Sequence, residues 1–427
     1  MTKKNSNLVA IITMCFIFAM ISFVTNMAAP FGNIWKGQYS WAGMMGNLMN
    51  FAAYLFMGIP AGKMLVKIGY KKTTLIALAT GFVGICIQWL SSFSFVGSAA
   101  IYVYLLGAFV CGFCVCMLNT VVNPMLNILG GGGNRGNQLI QTGGTLNSLT
   151  GTLTPLLVGA LIGTVTDKTS MADVTPLLFI AMGVFLVAFF IIYFVTIPEP
   201  AKERNTTVYE HSAWNFRHFV MGAIAIFFYV GIEIGIPAQV NFFLSDATEK
   251  GAGIAVNGAA IGGAIAAIYW LLMMVGRFLS TLISGKVSTK LQMTVVSTVA
   301  ILLVVIAIFV PKTVTVNMPG YSAADGFAMF RVPLSCLFLV LCGLCTSVMW
   351  GAIFNLAVEG LGKYTESASG IFMTLVVGGG IMPLIQEFIA KGAGYMNSYW
   401  LVVAMLAYLL YYALIGSKNV NKDIPVD

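Results

Sequence analysis

Charge is what this chain has least of. Of its 427 residues 22 are Lys or Arg and 14 are Asp or Glu, so charged side chains make up 8% against 59% hydrophobic ones. A soluble domain carries about three times that share of charge, so water is excluded as the main solvent of the fold. Histidine is scarcer still. His211 and His218 are the two present, and neither has a motif partner for metal binding or proton transfer, which leaves no enzyme site built from a nucleophile and a base. The eight cysteines lie in apolar runs without a His or carboxylate cluster, so neither a disulfide framework nor a metal site is indicated. Cys111 and Cys114 have redox spacing, but their setting reads as packing. The run Gly130 to Gly133 lacks the Lys-Ser or Lys-Thr of a phosphate loop and reads as a hinge or insertion. No polar stretch is long enough for a signalling domain, which sets aside a sensor.

Apolar sequence fills the chain instead. A bilayer core about 30 Å thick takes roughly 20 residues of helix. Runs of that kind stand near 8–29, 41–66, 73–93, 99–127, 138–165, 174–197, 216–245, 254–284, 290–310, 331–357, 366–390 and 397–416. Twelve spans put both termini on one side, and basic loops favour the cytoplasm. With the termini there, Lys36, Lys168, Lys250, Lys312, Arg331 and Lys391 fall outside, and the other sixteen basic residues, Arg277 among them, fall inside. The net charge of +8 is then a topology signal and requires no nucleic-acid partner. The first run follows Lys3 and Lys4 but outlasts the apolar part of a signal peptide, so it reads as a retained helix.

The polar stretch 198–214 falls almost at the midpoint and reads as a cytoplasmic linker between six-helix halves, residues 1–197 and 215–427. Internal repetition agrees. Val122 to Gly130 aligns with Phe354 to Gly362, setting Asn123 on Asn355, and Leu153-Thr154-Pro155-Leu156 aligns with Ile381-Met382-Pro383-Leu384. Aligning Pro30 with Pro237 sets Asn26 on Glu233. The predicted fold is therefore all-α and polytopic, 12 transmembrane helices in two pseudo-symmetric halves, the pattern of a parallel-repeat transporter.

Several segments carry a more specific likeness: Gly58-Ile59-Pro60-Ala61-Gly62 with Gly69-Tyr70-Lys71-Lys72, Asn123-Pro124, Asn147-Ser148-Leu149 with Pro155, Tyr229-Val230-Gly231-Ile232-Glu233, Gly276-Arg277-Phe278, and Gly378-Gly379-Gly380 to Gln386 around Pro383. In order and spacing over nearly the whole chain, it resembles the fucose/galactose/glucose:proton symporter family of the major facilitator superfamily. That resemblance implies that spans 1, 4, 7 and 10 line a central cavity where a sugar sits near mid-membrane. It also implies a monomer in the cytoplasmic (inner) membrane of a bacterium, with lipid, a sugar and a coupling cation as partners and no cofactor.

The expected sugar-binding residues are Asn26, Asn119, Asn123, Gln141, Asn147, Glu233, Trp350, Asn355 and Gln386. An amide both donates and accepts, as a sugar hydroxyl does, and Trp350 offers a stacking face. The competing reading of each amide is an interhelical hydrogen bond. Asn119 and Asn123, four apart, share a helix face. Glu233 stands alone as the acid deep inside a span, where a carboxylate costs at least about 2.5 kcal/mol and marks an ion or substrate path. Buried with no cation partner, it would hold and release protons as its surroundings change, which makes it the proton-coupling candidate; Na⁺ coordination and hydrogen bonding to a sugar are its alternatives. The proton-coupled sugar members that the chain resembles carry acids on the first and fourth spans, where this chain has Asn26 and Asn119. The loop after the second span has Val66 where an aspartate is common, which puts the usual charge lock in doubt. Arg277 reads as snorkelling from the cytoplasmic end of its span or as contacting helix-end carbonyls. With no cation at mid-membrane, a neutral hexose, deoxyhexose or N-acetylated sugar is the expected substrate, imported by alternating access with a proton, or with sodium, or uncoupled. The other reading is an exporter of non-sugar solutes such as cationic drugs.

Overall fold

A computed structural model of the chain describes residues 3–39, 42, 45–93, 98–162, 170–199, 211–254, 258–322, 326–421 and 423–426. In lipid every backbone polar group must find a partner within the protein, which is why the apolar runs become helices. They are α1 (Lys3–Gln38), α2 (Met45–Leu90), α3 (Ser98–Leu129), α4 (Gly133–Ile162), α5 (Thr175–Phe194), α6 (Arg217–Ser245), α7 (Gly258–Ile283), α8 (Thr289–Phe309), α9 (Leu334–Val358), α10 (Thr365–Thr374), α11 (Gly378–Ala393) and α12 (Tyr395–Tyr411). Helix α2, 46 residues long, breaks at Gly69, whose φ of 85° suits glycine, and so supplies two spans. Helices α10 and α11 join through the 3₁₀ turn Leu375–Val377 into one. The count of spans is again twelve.

The halves repeat each other in packing as in sequence. Helix α1 lies on α4 as α6 lies on α11, and α2 meets α5 as α8 meets α12. Lys71 donates to the Tyr193 carbonyl at 2.8 Å at the end of α5, and Lys290 does the same to the Leu414 carbonyl at 2.8 Å beyond α12. Large apolar side chains such as Phe56, Phe190, Phe194 and Phe309 face outward, as lipid requires.

Three local features depart from the sequence reading. The glycine run is a hydrogen-bonded turn: Gly131, Gly132 and Gly133 all have positive φ, and the Gly132 amide donates to the Asn127 carbonyl at 2.9 Å. Between α8 and α9 stands an antiparallel hairpin, β1 (Thr315–Ser322) and β2 (Gly326–Pro333), an addition to an otherwise helical fold. Gly326, which opens β2 at φ 66°, takes the left-handed backbone that favours glycine. At the Gly69 break, Glu199 accepts from the Tyr70 and Lys71 amides at 2.6 and 2.9 Å. A carboxylate thus caps the helix start that the loop's own sequence leaves uncapped.

Most of the stretch expected to be a linker, 198–214, lies outside the described residues, at 200–210. On either side of it the sequence halves meet along two seams that run toward the end bearing Lys63, Lys67 and Lys71, called here the basic end. In one, α2 packs backbone to backbone on α10 through Gly58, Gly62 and Gly370. In the other, α4 meets α7: Gln138 Nε2 donates to the Thr281 carbonyl at 2.9 Å, and Asn137 Nδ2 to Ser284 Oγ at 3.3 Å.

Candidate functional site

Between these seams a polar cluster forms from α2, α3, α4, α6, α7 and α9. On α3 the four-residue spacing stacks Asn119 and Asn123 on one face. Asn119 Nδ2 donates to the Tyr54 hydroxyl at 2.9 Å, and Asn123 Nδ2 donates to the Asn119 carbonyl at 2.8 Å. The remaining Asn123 oxygen accepts from Trp350 Nε1 of α9 at 2.9 Å, across the halves. The Trp350 ring meets Tyr229 edge-on at 6.2 Å and Phe372 at 6.4 Å.

Tyr229 and Glu233 share the opposing face of α6 by the same spacing. The Tyr229 hydroxyl is buried beside Glu233 and Arg277 and makes no hydrogen bond of good geometry. Glu233 Oε1 pairs with Arg277 Nη2 at 3.3 Å, with side chains 12% and 8% exposed. This overturns two expectations, that Glu233 lacks a cation and that Arg277 snorkels to the surface. Arg277 stands six residues from the end of α7, about 9 Å along the helix. A helical side chain leans toward its helix's N-terminus, which for α7 points away from the basic end. The guanidinium therefore enters the interior, and it belongs to none of the loops counted for topology.

Arg277 makes four further bonds. Nη1 donates to the Gly144 carbonyl at 3.1 Å, Asn147 Oδ1 at 3.3 Å and Ser148 Oγ at 3.0 Å, all on α4, and Nε donates to the Ser347 carbonyl on α9 at 3.2 Å. Gly144 makes room for it: a Cβ there would lie 3.2 Å from Arg277 Cδ. Because Glu233 balances Arg277, the pair adds no net charge, and the argument for a neutral substrate survives the presence of a cation.

The expected residues divide. Asn119, Asn123, Asn147, Glu233 and Trp350 join this cluster. Asn26 is turned to its own helix, donating to the Ser22 carbonyl at 2.8 Å and Ser22 Oγ at 3.0 Å beside Gly151. Gln141 donates to the Val348 carbonyl at 2.8 Å, and Asn355 bonds Asn127 at 2.7 Å and Thr289 at 3.1 Å nearer the basic end. Gln386 is buried against Gly235 and Ser398, within the second half. Those last three make the interhelical bonds that were their competing reading. Tyr54, Tyr229 and Arg277 complete the cluster; four-residue spacing from Glu233 is the signal that could have found Tyr229, and nothing comparable marks Tyr54. Toward the opposite end a cleft between α2, α6 and α11 is lined by Asn47, Gln239 and Glu387 among apolar residues. Among the described residues no three His, Cys, Asp or Glu side chains are grouped to hold a metal.

Residues 8–383 match the Major Facilitator Superfamily profile. The chain belongs to that superfamily. It is 31% identical to a glucose/galactose transporter of Brucella abortus (strain 9-941), over 98% of this chain and 96% of that one. An L-fucose-proton symporter of Escherichia coli (strain K12) is 23% identical over 85% and 82%. Among solved structures, the FucP transporter in its outward conformation superposes with a TM-score of 0.78 at 17% identity, covering 97% of this chain and 100% of that one. The family resemblance drawn from the motifs holds, and with it the twelve-helix fold.

Proposed function

We propose that this chain is a secondary transporter that imports a neutral monosaccharide, a hexose, deoxyhexose or N-acetylated sugar, by alternating access. The observation that carries the reading is its end-to-end similarity to a protein named a glucose/galactose transporter. The cluster suits such a ligand. It offers carboxamides that donate and accept, the buried Tyr229 hydroxyl, and the Trp350 ring, around an ion pair without net charge. The same pair weakens the alternative of exporting cationic solutes, because Arg277 already occupies the carboxylate that would attract them.

In this reading residues 1–197 and 215–427 are the two moving bodies, and 198–214 is their tether. The protein sits as a monomer in a bacterial inner membrane, its basic end and both termini in the cytoplasm. Glu233 is the proton-coupling group. It exchanges its proton through the cavity while Asn26 and Asn119, as amides, cannot. Sodium coupling and uncoupled diffusion give the same fold and differ in what moves with the sugar.

The test is the external pH of weakly buffered, de-energised cells expressing the protein as neutral sugars are added, with Glu233→Gln alongside. Alkalinisation by one sugar, lost in the variant, supports proton symport through Glu233 and names the substrate. Sugar counterflow without alkalinisation would reject proton coupling and leave sodium, which a sodium gradient would reveal, or no coupling.

A further inference from the structure

We propose that Arg277 is a charge-operated latch between the halves, which grips α4 while Glu233 is ionised and releases it when Glu233 is neutralised. The inference rests on the alternating-access reading above and adds to it a physical link between the carboxylate and a seam.

The geometry gives the guanidinium two tasks at once. Nη2 faces Glu233 on α6, and Nη1 reaches across to three oxygens of α4, those of Gly144, Asn147 and Ser148. Of all its partners only Glu233 carries charge; the α4 and α9 oxygens are neutral. Among the described residues Glu233 is also the one carboxylate paired with it. The other titratable side chains that sense Glu233 are Tyr229, Tyr269 and Tyr54. These are phenols, neutral at physiological pH and unable to replace the missing negative charge. A buried ion pair is tolerated because each charge compensates the other, and removing one partner leaves the second buried and unpaired, which is strongly unfavourable. Neutralising Glu233 therefore penalises the arrangement in which Arg277 lies in the seam. Relief comes when the guanidinium reaches water, and its three contacts with α4 go with it.

What remains of that seam toward the basic end is neutral: Gln138 to the Thr281 carbonyl, and Asn137 to Ser284. The second seam, of α2 on α10, is an apposition of glycines, with Glu366 of α10 buried beside Gly62. Arg277 is thus a point where the ionisation of one side chain, Glu233, can alter how firmly the basic end is closed. It is a positioning residue, and it touches α4 rather than depending on contact with the sugar.

The test places a reporter thiol by Thr281→Cys, at a half-buried position on α7 whose carbonyl accepts Gln138, in the full-length protein reconstituted in nanodiscs. The rate of maleimide labelling at one fixed pH is read against the same protein with Thr281 retained, which corrects for native thiols. Glu233→Gln, a neutral isostere, and Arg277→Gln should each speed labelling about tenfold or more, and the two together no further than either alone. Arg277→Lys should fall between, because an ammonium cannot hold both sides with the same fork. Ser148→Ala removes one grip on α4 with the ion pair intact and should speed labelling two- to fourfold. Equal rates for the parent and Glu233→Gln would overturn the latch. If Glu233→Gln is not monodisperse, equal rates for the parent, Arg277→Lys and Ser148→Ala would do so. Sugar-evoked alkalinisation of the same variants separates the two readings. Faster labelling without alkalinisation in the parent keeps the latch and rejects proton coupling, and alkalinisation lost in Glu233→Gln with unchanged labelling rejects the latch alone.

Discussion

A methyl group at Gly370 should prise open the basic end. Built there, a Cβ would lie 2.6 Å from the Gly58 carbonyl oxygen, 2.6 Å from Gly62 Cα and 2.7 Å from the Gly62 nitrogen. Ordinary contacts of carbon fall near 3.5–4.0 Å, so α2 and α10 must part by about 1 Å. All three neighbours are backbone, which cannot swing aside as a side chain can. Overpacking of this kind costs about 1–3 kcal/mol, but only in conformers where the seam is closed. The helix propensity gained by replacing glycine is present in both conformers and cancels. The closed-to-open ratio should therefore fall by about 5- to 150-fold in Gly370→Ala. Spin labels at Lys67 and Ser367, both exposed and flanking the seam, read it as a distance distribution, in which a longer component should appear or grow. Gly183→Ala on α5, where a Cβ meets nothing within 4 Å, is the control. A monodisperse Gly370→Ala protein with the parent distribution would refute the reasoning.

Glu199→Ala strips the cap from the second segment of α2. Two charge-assisted bonds to amides are lost, a cost of about 1–3 kcal/mol, so the melting temperature in detergent should drop by several degrees and Glu199→Gln should recover part of it. Tyr229→Phe removes a buried hydroxyl that lies against Glu233 and Arg277 without a hydrogen bond of good geometry, so the melting temperature should change little while KM for the sugar rises severalfold; a large fall in stability with KM unchanged would take the hydroxyl out of the site. Trp350→Leu loses both the ring and the donor to Asn123 and should cut uptake more than tenfold, with Trp350→Phe between them in a counterflow assay. Gln386→Leu should leave KM within twofold, because its carboxamide bonds Ser398 inside the second half; a large rise in KM would return Gln386 to the site.

The architecture is largely legible because bilayer thickness sets a length that each apolar run must meet, and the repeat shows in Asn123 against Asn355 before any coordinates. The site is legible only in part. A lone carboxylate in an apolar run, Glu233, declares itself by its cost, and Asn119 with Asn123 by helical spacing. Arg277 does not, since its distance from the helix end suits a snorkelling side chain as well as a buried one. The direction in which α7 runs decides between them. Glu199 is hidden for another reason: it caps a helix start 129 residues earlier in the chain, and nothing local marks the pairing.

The repeat and the chemistry also pull apart in an instructive way. Pseudo-symmetry relates α2 to α7 and α10–α11 to α4, so the two seams between the halves occupy equivalent places. They are built from opposite materials. One brings Gly370 against Gly58 and Gly62 in close backbone contact. The other uses Gly144 to admit a guanidinium and is held by polar bonds, among them those by which Arg277 ties α4 to Glu233. Close backbone contact changes only through displacement of its helices, whereas under the latch proposed above the Arg277 seam responds to one proton. Sequence divergence between halves that share a fold is then where the coupling should be sought. The aligned position of Glu233 in the first half is Asn26, whose amide is spent on Ser22 of its own helix. An acid restored there would face no arginine, so Asn26→Asp should not rescue a Glu233→Gln transporter, and rescue of sugar-evoked alkalinisation by that second change would show that the carboxylate's place, and not its arginine, is what coupling requires.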